Sequence, residues 1–340
     1  MKKFLSGYFS LFFFTFLFAQ QGGRSVYSFL NLSVSAKQAA LGGENYNGLN
    51  ADVFQVLSNP ATLDSSMVNK PALSYTNYLG GLNYGNAVYA APVKNWGVFY
   101  GGIIYLNYGK FQYADEFGNR NGSFGAGESA FIVGYAYAVP GTGLKVGLNT
   151  KFIYSSLENY TSSGIAADVG FYYNNPQKNF EIGLSLRNMG TQLSTYNGIK
   201  EDLPFEIDAS FSSLLAHAPL KWHITLENLQ NWNIAFANPA HSSQDPNGNE
   251  IEEDISLIDE ISRHFIIGAE IFPRKSFTFR LGYNFRRKAE LSLQDQSFMS
   301  NIDFGFGLRL RKFEINYAYA KYHYASNAHF FTAIINLNEF

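Results

Sequence analysis

The chain has 340 residues, of which 17% are aromatic and only 15% charged, with 32 Phe, 23 Tyr, no Cys and a formal net charge of −2. Absence of Cys excludes a disulfide framework and thiol chemistry, and the near-neutral charge leaves no footprint for nucleic acid. Mean hydropathy is −0.13, and no apolar run after the N-terminus reaches the roughly 20 residues of a spanning helix, which excludes a helical membrane protein.

Residues 1–19 read as a signal peptide. Lys2 and Lys3 supply a positive start, Phe4 to Phe18 form an apolar run broken only by Ser6, Gly7, Ser10 and Thr15, and Ala19 offers a small residue for cleavage. No Cys follows, so a lipid anchor is not expected. Residues 20–70 show no strand-like alternation. Ser35 to Leu41 has helix-forming composition and ends in Gly42-Gly43, a helix stop. Asp52 to Leu57 predicts a second helical turn before Asn59-Pro60-Ala61.

Residues 71–340 alternate. Phe277 to Phe285 reads F-T-F-R-L-G-Y-N-F and Ile302 to Arg311 reads I-D-F-G-F-G-L-R-L-R. Successive strand side chains point to opposite faces, so each segment is a strand with one apolar and one polar face. Strands are expected near 72–79, 84–93, 97–107, 129–139, 144–156, 164–173 and 180–188. A second set is expected near 205–213, 220–227, 263–272, 276–286, 302–311, 313–322 and 329–337.

Alternation alone also suits a soluble sandwich or a lipocalin-like barrel. Three features turn the apolar face outward. Gly147, Gly170, Gly183, Gly282, Gly305 and Gly307 stand on the polar face, where Gly weakens a strand unless something packs closely against it. The apolar faces, such as Phe131-Val133-Tyr135-Tyr137, Phe180-Ile182-Leu184-Leu186 and Phe205-Ile207-Ala209-Phe211, carry no charge. Tyr105, Tyr108, Tyr172, Tyr173, Tyr283 and Phe285 crowd strand ends, as interfacial girdles do. Finally, tight turns at 94–95, 140–143, 175–178, 273–275 and 311–312 alternate with long connections at 108–128, 189–204, 228–262 and 287–301. With a periplasmic N-terminus, that phase puts every tight turn inside and every long loop outside.

The fold expected is all-β: a transmembrane antiparallel β-barrel of about fourteen strands with an N-terminal plug. A barrel of that size has room for residues 20–70; the alternative for them is a loose periplasmic tail. Lys145, Lys151, Asp168, Arg187, Glu206, Asp208, Glu227, Arg280 and Arg309 mix both signs on the polar face, which suits a plugged lumen better than an ion-selective pore. The chain ends at Phe340, a terminal aromatic, but the outward register 331, 333, 335, 337 puts Glu339 in phase instead.

Little points to catalysis or cofactors. The six His are scattered; His323 and His329 flank the last external loop without a readable nucleophile spacing. D-P-N-G-N-E (Asp245 to Glu250) begins like a calcium loop, then puts Glu250 where Gly is required and Ser256 where the bidentate Glu belongs. No catalytic residue, metal or cofactor is expected. The long connection 239–262 is the strongest functional surface: Glu250, Glu252, Glu253, Asp254, Asp259 and Glu260 interleave with Ile251, Ile255, Ile258 and Ile261, whose spacing fits one helical face. Such a segment suits a protein partner, or else folds over the barrel mouth with its acidic face solvated.

S-A-K-Q-A-A-L-G-G and S-N-P-A-T-L resemble the N-terminal signature of FadL-type outer-membrane barrels. That resemblance implies fourteen strands and a hatch containing Ala40, Leu41, Gly42, Gly43, Asn59, Pro60 and Ala61. Gly22 to Leu32, Asn77 to Ala90, Arg263 to Pro273, Leu281 to Leu291 and Arg311 to His323 resemble the outer-membrane barrels of the type IX secretion system. The resemblance spans essentially the whole mature chain. It implies a non-enzymatic anchor that holds a soluble PorZ-like protein at the cell surface. PorV-like and sortase-like PorU-like components would lie nearby, in a complex that links exported cargo to lipopolysaccharide. The FadL-type alternative implies a transporter of hydrophobic small molecules.

Overall fold

The computed structural model describes residues 25–48, 51–114, 117, 119–235, 243–244, 250–251, 255–291, 302–323 and 326–340; the signal-peptide residues 1–19 and the core of the calcium-like loop, 245–249, lie outside them. Strands run β1 Ala72–Asn77, β2 Asn83–Val93, β3 Gly97–Ala114, β4 Arg120–Ala138, β5 Leu144–Leu157, β6 Tyr160–Asn175, β7 Phe180–Ser194, β8 Glu206–Leu214 and β9 Leu220–Leu226. A short ribbon, β10 Ser243–Gln244 with β11 Glu250–Ile251, interrupts the series before β12 Phe265–Ile271, β13 Phe277–Asn284, β14 Asp303–Arg309, β15 Phe313–His323 and β16 Ser326–Ile335. Apart from that ribbon, the strands of the described residues close into one antiparallel barrel of fourteen, β9 pairing with β12 and β16 with β1. Closure leaves no open edge, the condition for a sheet to cross a bilayer. No helix among the described residues is long and apolar enough to cross one.

Alternation sorts the wall as expected. On β4, Phe131, Val133 and Tyr137 are 52%, 58% and 55% exposed, while Ala130 and Ile132 are buried. Two girdle residues are corrected: Tyr108 and Tyr172 point inward, their hydroxyls donating to Glu128 (2.5 Å) and Glu181 (3.1 Å). The expected long loop 108–128 is largely strand, because β3 and β4 continue past the rim as a ribbon carrying stacked Phe111 and Phe124. Connections at that end are also not uniformly long, since β5 and β6 join through Glu158 and Asn159 alone.

The phase conflict at the C-terminus is resolved by a break in the strand. β16 stops at Ile335, and a 3-10 turn over Leu337–Glu339 re-aims the last residue. Phe340 then lies edge-on to Phe313, ring centroids 6.2 Å apart, with Lys312 Nζ 4.0 Å over its ring.

The described residues of 25–70 lie inside the barrel and enter from the long-loop rim. Ser25 bridges to Asp202 and Val26 N donates to Asp202 O. The described residues of this segment are therefore packed against the inner wall rather than left as a loose tail. The chain crosses the lumen first, leaves at the short-turn rim, where Asn69 N bonds Ala90 O, and only then starts β1.

Candidate functional site: the plugged lumen and its mouth

Helix α1, Ala36–Ala40, is capped by Ser35, whose Oγ accepts from Gln38 N, and Ala36 N donates to Thr332 Oγ1 at 2.9 Å. Its small side chains lie against Ala318, Ala320 and Phe330 of β15 and β16, which brings helix and wall close. The helix stops at Gly42 and Gly43, φ 99° and 131°, conformations that strain other residues. Leu41 and Gly42 press on glycines of the wall: a Cβ on Gly282 would lie 2.0 Å from Gly42 N, and one on Gly268 3.0 Å from Leu41 O.

Helix α2, Gln55–Ser58, leads into Asn59-Pro60-Ala61. Asn59 uses its whole amide: Oδ1 accepts from Ala61 N at 3.0 Å, and Nδ2 donates to Tyr46 O at 2.9 Å and Phe171 O at 3.1 Å. Pro60 and Ala61 cover Gly147 and Gly170, where any Cβ would fall within 2.3 Å of the plug. Gly183 meets Tyr46 O and Gly305 meets Ala40 in the same way, so wall glycines mark the plug's footprint. Gly307 does not; its neighbours are Asn316 and Arg280 of the wall itself.

The lumen wall has two unlike arcs. From β5, where Lys151 pairs with Asp168 of β6 at 2.8 Å, through β14 it carries buried charge. Arg187 is 2% exposed and stands among Glu44 of the plug (2.6 Å), Glu206 (2.7 Å) and Asp208 (3.7 Å). Tyr46 OH donates to Asp208 at 2.9 Å and also to Glu44. On β12, Glu270 gathers Arg280 (3.1 Å), His223 (3.0 Å) and Lys37 of α1 (3.6 Å), while Asn45 bonds the other His223 nitrogen. Arg287 bridges Asp303 at 2.6 Å and donates to Gly42 O at 2.8 Å. Buried charges are tolerated only when paired, and these pairs reach across to the plug.

From β2 through β4, with Ile153 of β5, the inner face is mainly apolar instead, interrupted by buried Asn86 and Glu128. Tyr84, Val88, Tyr100, Ile104, Leu106, Ala130 and Ile132 form one cluster with Phe29, Val53, Phe54, Val56, Leu57 and Met67 of the plug. Leu57 sits directly on Gly102, 2.9 Å from where its Cβ would be. This arc was missed from sequence. Its signal is V-F-Y-G-G-I-I-Y-L (Val98 to Leu106), which does not alternate.

At the long-loop rim a polar cavity of about 350 Å³ opens over the plug, lined among others by Ser28, Asn31, Glu44, Glu206, Glu227 and Arg286. Carboxylate oxygens of Glu44, Glu206 and Asp208 lie within 4.8 Å of one another, and the Arg187 guanidinium supplies the cation they require. Burial raises the Glu227 carboxyl, just past β9, to about 7.

The 239–262 connection departs from its expected form. Glu250 and Ile251 are extended in the ribbon, and among the described residues of the connection only Leu257–Ser262 is helical (α3), started by Ser256 whose Oγ accepts from Asp259 N. Glu252, Glu253 and Asp254 lie outside the described residues. The helix does not fold its apolar face onto the barrel: Leu257 and Ile258 are 70% and 78% exposed beside Asp259 and Glu260. His329 bonds the Tyr317 hydroxyl on the outer face, away from any acid of the lumen.

No family model matches the chain, and no curated protein matches it. Among solved structures it is similar to a mutant of the TodX monoaromatic hydrocarbon channel, at 13% identity over 91% of this chain and 98% of that one, with a TM-score of 0.52. A Pseudomonas aeruginosa FadL homologue is 9% identical over 90% of this chain and 98% of its own, TM-score 0.49. At such identity the likeness concerns fold alone: a closed antiparallel barrel of fourteen strands.

Proposed function

We propose that this protein is an outer-membrane barrel that passes hydrophobic small molecules, with residues 25–70 as its closed gate. One observation carries the reading. The apolar cluster of β2–β4 gives the lumen a predominantly greasy side, which hydrophilic traffic does not need. An apolar solute displacing plug side chains there exchanges one apolar contact for another, while in water the same surface costs roughly 25 cal/mol per Å². The charged arc holds the plug along its opposite side, so a partial displacement need not expel it. The name of the TodX channel supports a hydrocarbon-like solute class.

The test is uptake by whole cells. Deleting the gene should slow entry of a labelled monoaromatic hydrocarbon or long-chain fatty acid at limiting concentration and leave sugar uptake unchanged. Equal hydrocarbon and fatty-acid uptake with and without the gene sinks this reading.

A second reading is favoured by the density of ion pairs and glycine contacts that fix the plug. It is that of a closed PorQ-type barrel of the type IX secretion system, anchoring a soluble PorZ-like partner beside PorV-like and PorU-like components and lipopolysaccharide. Here the acidic 239–262 connection would be the docking site. Reversing Glu252, Glu253 and Asp254 should then release the partner from the cell surface without impairing barrel assembly; unchanged retention would remove this loop from consideration.

A further inference from the structure

The two rims differ in charge. At the short-turn rim, Arg309 is answered by Glu314, Arg311 by Glu339 and Lys145 by Asp64. Lys70, Lys94, Lys178, Arg274, Lys275 and Lys312 meet no carboxylate among the described residues, and all but half-buried Lys70 are exposed. They occupy the β2–β3, β6–β7, β12–β13 and β14–β15 turns and the point where the plug leaves the lumen, and so encircle the barrel. At the long-loop rim, described residues of both signs mix: Lys110, Arg120 and Lys200 stand with Glu158, Glu201, Asp202, Asp259 and Glu260.

Beside the cations lies a row of exposed aromatics in the same turns and at the adjoining strand ends. Trp96 is 70% exposed and Phe340 73%, with Phe272, Phe277 and Phe313 between the remaining turns. Aromatic rings settle at the level where hydrocarbon gives way to headgroups. Lys94, Arg274, Lys275 and Lys312 lie within two residues of these rings, within reach of lipid phosphates at that boundary. A protein partner is met by a patch on one side of a barrel; cations spread around the circumference fit a planar leaflet.

We propose that the short-turn rim is a headgroup-binding ring that selects anionic phospholipids of the inner leaflet over zwitterionic ones. It sets the depth and tilt of the barrel by charge as well as by hydrophobic height. The inference is independent of what crosses the lumen.

The test is native mass spectrometry of the whole barrel in detergent with equimolar phosphatidylglycerol and phosphatidylcholine. Wild type should retain the anionic lipid by roughly three- to fivefold over the zwitterionic one, a preference that shrinks in high salt. Millimolar inorganic phosphate should not abolish it, which separates a lipid site from a free-phosphate site. Combining Lys94→Gln, Lys178→Gln, Arg274→Gln, Lys275→Gln and Lys312→Gln should bring the ratio to about one, with heat-modifiable gel mobility unchanged. If that variant does not fold, Lys275→Gln and Lys312→Gln singly should each lower the ratio part of the way. Lys110→Gln with Lys200→Gln, at the other rim, should leave it intact. The proposal is overturned if wild type shows no preference, if the combined or both single variants keep it in full, or if the long-loop control loses it equally. Capture of an acidic periplasmic protein by the same residues without lipid preference also overturns it.

Discussion

The charged and apolar arcs of the lumen hold the same plug by opposite means. Against β7–β14 the plug is fixed by directional pairs, Arg187 with Glu44 and Glu270 with Lys37, each meaningful at one distance and angle. Against β2–β4 it is held by non-directional contact of Phe54, Val56 and Leu57 with Tyr100, Ile104 and Ile132. A directional contact breaks sharply and leaves an uncompensated charge; an apolar one slides and can be replaced by another apolar surface. One side of the lumen is therefore a hinge post and the other a face that can part.

The sharpest way to break this contrast is Arg187→Ala. It strands Glu44, Glu206 and Asp208 together, and a loss of about 3–5 kcal/mol is expected, read as a lower urea midpoint in lipid vesicles and as increased ion conductance. Leu57→Ala on the apolar arc should cost about 2–5 kcal/mol yet leave conductance low, because no charge is exposed. If both variants leak alike, the arcs are not functionally distinct. Gly282→Val drives a side chain into Gly42 and should cost about 1–3 kcal/mol. Faster protease cleavage of the plug, with the barrel still heat-modifiable, would report it.

Smaller effects come from protons at the plug's two ends. The folded protein keeps Glu227 protonated up to about 7, against an ordinary value of 4.5. Folded chain thus binds more protons than unfolded chain in that window, and stability falls as pH rises through it. Glu227→Gln should remove that slope, gaining up to about 3 kcal/mol over wild type at pH 8 and nothing at pH 4; denaturant midpoints at the two pH values decide it. Asp64 behaves oppositely. Partial burial pushes its carboxyl up, but Lys145 and Ser66 outweigh this and hold it below 3.8. Its contribution is present at neutral pH and is lost as pH falls through the folded value. The side chain is 46% exposed, so Asp64→Asn should cost only about a few tenths of a kcal/mol, seen as a slightly lower melting temperature at pH 7 and none at pH 2.

How far the site was legible depended on how local its signals were. Asn59-Pro60 and Gly42-Gly43 announce turns within a few residues, and Gly147, Gly170 and Gly282 on a polar strand face announce a close neighbour. That neighbour's identity, Ala61 or Gly42, is long-range and invisible along the chain. The amphipathic reading of Ile251, Ile255, Ile258 and Ile261 went too far, because spacing describes a helix only where backbone hydrogen bonds can form. The ribbon at Glu250–Ile251 uses those groups in strand pairing instead.

By itself the sequence determined the wall. Side-chain alternation is a period-2 property of each strand, uncharged apolar faces select a bilayer over water, and strand number and order follow from the turns. Tertiary structure alone decided the lumen: that the plug enters from the long-loop rim, that Arg187 finds Glu44 across 143 residues, and that β2–β4 face Leu57 and Phe54. Those pairings depend on barrel closure, which brings distant residues together and removes the water that would otherwise have satisfied them.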